Sequence, residues 1–262
     1  MTDKPDPTEY IPPKTQIVPS QTLSAGAALG WLRAGWRDFM RAKRVSLVYG
    51  LFVFLVSVLA AWLAWNLGGY VLLFSALSGF VFIAPLLAFG LYSVSRQLCE
   101  GRAPSLRSTF RAIRRPLGNS MVFTLVLLVV FLLWTRAGMM VQVFFPLGGE
   151  PEWGKILTFL AIGSAVGSIF ACISFAASAF SLPMLANRDI DVITAVISSI
   201  RAVLQNKPAM LVWAFLICLL TAIGFLTAGI GLIVIIPWLA YATWRGYRAA
   251  LDPSDWPVLP RE

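Results

Sequence analysis

Residues with the types and spacing to carry chemistry are few in this chain. "ANRDID" (Ala186–Asp191) sets Asp189 and Asp191 on either side of Ile190, just after Arg188. Two neighbouring carboxylates are the raw material of general acid–base work. Nothing beside them supplies a base, a nucleophile or a metal partner, so the same pair reads as local ion pairing and as a cap, Asp189 or Asp191 accepting from the helix that follows. Cys99, Cys172 and Cys218 share no metal-type or redox-type spacing, and Cys172 and Cys218 lie inside apolar runs where a free thiol behaves as a small hydrophobe. There is no histidine, which removes the commonest metal ligand and proton shuttle. The expected catalytic, cofactor-binding and metal residues are therefore none, and the chain is expected to be non-enzymatic.

The elements that would position any such residues are apolar helices. Of 262 residues 58% are hydrophobic and 13% charged, against about a quarter charged in soluble domains; the mean hydropathy is +0.79. Val45–Trp65, Tyr70–Ser95 and Ile156–Ala186 contain no charge at all. Roughly 20 apolar residues at 1.5 Å each cross a ~30 Å hydrocarbon core. The expected fold class is all-α: a polytopic membrane protein with six transmembrane helices, about Val45–Trp65, Tyr70–Ser95, Leu117–Thr135, Ile156–Leu185, Ala209–Ala228 and Ile230–Trp244. Asn66–Gly69 is expected to form a tight turn between the first two. Ala209–Trp244 is one uncharged run, which as a single helix would be about 54 Å long; paired glycines place a turn at Thr227–Gly231.

Lysine and arginine orient these spans. With six spans, all of the 21 Lys and Arg except Arg136 and Lys155 fall on one side, together with both termini. That side is expected to be cytoplasmic, in a bacterial inner membrane. The proline-rich segment 1–22 has no apolar core and reads as a disordered cytoplasmic tail, not a cleaved leader. Residues 23–250 form the membrane domain, and 251–262 a second cytoplasmic tail.

Each odd-numbered span follows an amphipathic segment. In Ser24–Arg44, Ala28, Leu32, Trp36 and Phe39 share a face beside Arg33, Arg37, Arg41 and Arg44; in Pro104–Leu117, Leu106, Phe110, Ile113 and Leu117 do so beside Arg107, Arg111, Arg114 and Arg115. Asp191–Asn206 repeats the pattern with Val192, Val196, Ile200, Val203 and Leu204 and fewer charges. Such helices are expected either to lie among lipid headgroups, the eight arginines reaching phosphates, or to pack on the floor of the bundle. The even-numbered spans carry Pro85, Pro183 and Pro237 in similar apolar frames, each expected to bend its helix. The chain thus reads as three parallel helical hairpins, repeats of about 24–96, 104–186 and 191–250. Gly163, Gly167 and Ala171 form a ladder of small residues suited to close helix packing, within the bundle or between two copies.

"GWLRAGWRDFMRAKRVS" (Gly30–Ser46), "APLLAFGLY" (Ala84–Tyr92), "FSLPMLANRDID" (Phe180–Asp191) and "SIRAVLQN" (Ser199–Asn206) resemble a family of bacterial integral membrane proteins, domain of unknown function 2189. The resemblance covers roughly residues 25 to 250. It implies an inner-membrane protein of proteobacterial type and assigns no activity and no catalytic residue. Some members are labelled as cytochrome c oxidases, a role whose haem and copper ligands are histidines, which this chain lacks. The leading expectation is an interaction, assembly or lipid-organising protein without cofactor. Its expected partners are anionic lipid headgroups on the cytoplasmic side and another membrane protein or a second copy. The alternatives are a channel or carrier for a small neutral or apolar solute and an accessory to a respiratory complex. The net charge of +9 is mostly the positive-inside bias, so nucleic acid is not an expected partner.

Overall fold

The structure, a computed structural model, describes residues 17–104, 117–144 and 153–259. These residues are overwhelmingly helical: α1 (Ala27–Arg41), α2 (Lys43–Leu87), α3 (Phe89–Cys99), α4 (Leu117–Phe144), α5 (Trp153–Ser178), α6 (Ser181–Leu185), α7 (Val192–Gln205), α8 (Lys207–Leu226) and α9 (Leu232–Ala250). Helices are what an apolar chain must form where water cannot satisfy the backbone. Among the described residues three stretches are long and apolar enough to cross a membrane, Lys43–Leu67, Leu157–Leu185 and Lys207–Leu226; Leu125–Met140 and Val192–Gln205 are shorter apolar helices. α9, expected as a span, is bound into the protein by its neighbours and carries Arg245 and Arg248 in its last turns.

Two expectations about the chain's turns meet different outcomes. At Thr227–Gly231 the last run does break: Ala228 and Gly229 take positive φ, 52° and 82°, and the Thr227 hydroxyl accepts from the Gly231 amide at 2.8 Å. At Asn66–Gly69 the helical backbone of α2 continues without interruption. Asn66 donates its side-chain amide to the Trp62 carbonyl at 2.7 Å, a bond made within a helix. A straight helix of 45 residues would be about 67 Å long. Yet Ser46 and Tyr92, on either side of this stretch, meet Tyr241 and Trp244, one turn apart on α9, so the chain doubles back between them. α4 also runs nine residues past its expected end at Thr135, to Phe144, placing Arg136 inside a helix with its side chain exposed.

α9 organises the rest. Where α1 crosses it, a Cβ on Gly35 would stand 2.6 Å from the Ala242 nitrogen, and one on Gly246 would stand 2.9 Å from the Trp31 ring. Where α2 crosses it, a Cβ on Gly50 would collide with the Ile233 carbonyl oxygen. Only hydrogen fits at such crossings, which lets the backbones touch. The prolines do not act alike. Pro85 lies near the end of α2 and the helix breaks at Ala88; Pro183 lies inside the short α6, after a break at Ala179–Phe180; Pro237 sits within an unbroken α9.

Candidate functional site

The densest part of the molecule is the floor where α1, α3, α6, α7 and the second half of α9 meet in one core cluster. Trp213, Trp244, Tyr241, Tyr247, Phe180, Leu182 and Met184 are fully buried there. Trp31 meets the Trp213 ring edge-on at 5.7 Å, and Trp244 meets Tyr247 at 5.6 Å, the favoured geometry for aromatic quadrupoles. Some polar groups inside are paired, while the Trp213 and Trp244 indole nitrogens have no hydrogen-bond partner among the described residues. The Ser46 and Tyr241 hydroxyls are 2.7 Å apart, and the Asn187 amide donates to the Tyr247 hydroxyl at 2.8 Å.

Asp38, 1% exposed, receives two bonds from the Arg245 guanidinium, Nε to Oδ2 and Nη2 to Oδ1, both 2.7 Å. A fork on a carboxylate fixes both distance and rotation, so the pair pins α1 against α9. Sequence reading missed this residue. Its signal was its isolation: Asp38 is the one carboxylate between Glu9 and Glu100, and it falls in step with Trp31, Gly35 and Ala42. These are the residues α1 buries along with Ala28, Leu32 and Phe39, while Trp36, expected on that face, sits at its edge against Trp238.

Both terminal segments close the floor. Val18 donates its amide to the Ser198 hydroxyl at 3.0 Å, Gln21 to the Ala250 carbonyl at 2.8 Å and Asp252 to the Pro19 carbonyl at 3.0 Å. Farther on, Asp189 donates to the Pro257 carbonyl at 2.9 Å and Trp256 is buried. Residues 17–22 and 251–259, expected within tails, are thus part of the packed structure. Residues 1–16 and 260–262 lie outside the described residues.

The acidic pair does not gather a reactive site. Asp191 is the N-cap of α7, accepting from the Thr194 amide at 2.8 Å. Its slight burial favours protonation, but bonds from the side chain and amide of Thr194 and from the Ile193 amide prevail and hold its pKa below the usual carboxylate value. Asp189 is exposed, and Arg188 gives its guanidinium to the Trp256 carbonyl at 2.6 Å, not to either aspartate. The three cysteines are free thiols exposed on the protein surface.

Arg33, Arg37 and Arg41 on α1 and Arg44 at the start of α2 are all exposed, on the side of α1 away from α9. Arg107, Arg111, Arg114 and Arg115 lie outside the described residues. Among the described residues the small-residue ladder makes no close crossing: none lies within 4 Å of a Cβ built on Gly163, one on Gly167 meets the Trp134 indole nitrogen at 3.7 Å, and Ala171 is half-buried.

This arrangement, apolar helices standing on a strapped and partly basic floor, is that of a membrane protein. Residues 71–187 match the family model described as "Predicted integral membrane protein (DUF2189)". It is the family that the sequence resembles. The matched stretch runs from within α2 to Asn187 at the floor and leaves α1 and α9 outside it. No curated protein and no solved structure matches the chain.

Proposed function

We propose that this chain is a non-enzymatic, six-span inner-membrane protein whose floor faces the cytoplasm and gathers anionic lipid. The observation that carries this reading is the division of labour on α1. One face is locked to α9 through Trp31, Gly35 and Asp38, and the other holds Arg33, Arg37 and Arg41 in the open, with Arg44 following. A helix fixed in this way presents its guanidiniums as a rigid row. Basic side chains near an anionic surface each contribute about 1 kcal/mol. The six-span reading is supported by the doubling back of residues 46–92, by the packing of α4 on α5 and by the return of α9 along α8. The cytoplasmic placement rests on the lysine and arginine bias and on both terminal segments being bonded to the same floor.

The test is the lipid that stays with the protein. The full chain is reconstituted in nanodiscs of equal phosphatidylglycerol and phosphatidylcholine, then extracted in mild detergent and its retained lipid measured. The wild type retains phosphatidylglycerol in excess, and a variant with Arg33, Arg37, Arg41 and Arg44 all changed to Gln loses most of that excess. Equal retention of both lipids by the wild type contradicts the reading.

A further inference from the structure

α7 (Val192–Gln205) has two apolar sides where one was expected. The side packed on the protein is built from small residues, Ala195, Ser198, Ser199 and Ala202, with Val192. Ser199 fastens it, accepting from the Phe180 amide at 3.1 Å and donating to the Ala176 carbonyl at 2.8 Å. Val196 and Val203 pack beside them against the core, and the bulkiest side chains point elsewhere: Ile193 is 71% exposed, Ile197 45% and Leu204 58%. With Ile200 they recur at the spacing of one helical face. Ile197, Ile200, Arg201, Leu204 and Gln205 share a shallow, open stretch of surface along the helix. Arg201 has no salt bridge among the described residues, and Gln205 is held from the far side by the Ser20 hydroxyl.

The place of this face decides its occupant. α7 joins α8, a stretch able to cross the membrane, through the single residue Asn206, whose side chain ties the joint to the Leu23 amide at 2.7 Å and to the Gln21 carbonyl at 2.9 Å. Its C-terminal end therefore meets the bilayer boundary. Arg201 and Lys207 stand at that end, and Asp189 and Asp191 at the other. A guanidinium above an isoleucine and leucine floor matches a phosphate above acyl chains.

We propose that α7 lies in the headgroup boundary and holds one anionic phospholipid, its phosphate on Arg201 and its methylenes over Ile197, Ile200 and Leu204. The proposal shares with the reading above only the preference for anionic headgroups; its site is separate from α1. The measurement is native mass spectrometry of the full chain in detergent with added phosphatidylglycerol. Arg201→Gln lowers the population carrying one tightly held lipid about tenfold, while the variant with Arg33, Arg37, Arg41 and Arg44 changed to Gln keeps it. An unchanged population in Arg201→Gln overturns the proposal, whether or not the α1 variant loses its lipid. Loss in the α1 variant alone leaves the wider reading standing without this one. A second measurement does not depend on lipid class. With Cys99, Cys172 and Cys218 changed to Ser, an environment-sensitive dye on Ile197→Cys is quenched by a lipid-borne quencher in phosphatidylglycerol vesicles; a dye quenched only from water overturns the placement of α7.

Discussion

At the scale of single residues, charge placement does the specifying. The Asp38–Arg245 pair is asymmetric: the carboxylate is sealed, while the Arg245 side chain is 33% exposed. Removing one partner strands the other, and the cost depends on which is stranded. Arg245→Ala leaves a buried carboxylate and lowers stability by about 3–5 kcal/mol. Asp38→Ala leaves a guanidinium that water reaches, at a cost of about 1–2 kcal/mol. Unfolding titrations in micelles measure both, and equal losses contradict the assigned burial. Asp191 gives a pH signature. Its folded pKa is depressed, so the cap's charge contributes in full above the unfolded value of about 3.9 and is lost as pH falls through the folded one. Stability of the wild type owes nothing to this group's titration between pH 5 and 8. Asp191→Asn, which still caps a helix, lacks the acid-side loss that the wild type shows below about pH 4. An identical acid profile in the two proteins contradicts the cap.

At the scale of elements, close approach is set by glycines that a pattern search does not favour. Gly163 and Gly167 read from sequence as a packing ladder because they repeat at four residues, but repetition says nothing about what lies opposite. Gly35, Gly50 and Gly246 have no such spacing, yet they are where α1, α2 and α9 touch. Gly50→Ala drives a methyl into the Ile233 carbonyl and costs about 1–3 kcal/mol. Gly163→Ala meets none of the described residues and is neutral or stabilising by up to about 1 kcal/mol through helix propensity. Thermal unfolding of the two variants checks the order, and the reverse order contradicts the crossings. The same limit explains the faces of α1 and α7. Periodicity located both helices and several of their apolar residues, but a search for apolar stripes passes over Asp38, Ser198 and Ser199, whose burial depends on partners far along the chain. What was legible was local: charge-free blocks, the glycines of the last turn and the capping aspartate.

At the scale of the whole molecule, the floor is assembled from both ends of the chain, with Val18 bonded to Ser198 and Pro19 to Asp252. Composition marked these segments as tails because proline and polar residues dominate them, and no local signal announces a contact between residues 180 or more positions apart. The consequence is that the two ends must share one side of the membrane, and the turn at Thr227–Gly231 lies at the far end of the α8–α9 pair. The direct test is thiol accessibility in intact cells, with the native cysteines changed to Ser and a single cysteine introduced at Ile230→Cys or Ser254→Cys. An impermeant reagent added outside is predicted to label Ile230→Cys, and to reach Ser254→Cys only once the membrane that holds the protein is opened. Labelling of Ser254→Cys in intact cells, or equal labelling of both positions, contradicts the account.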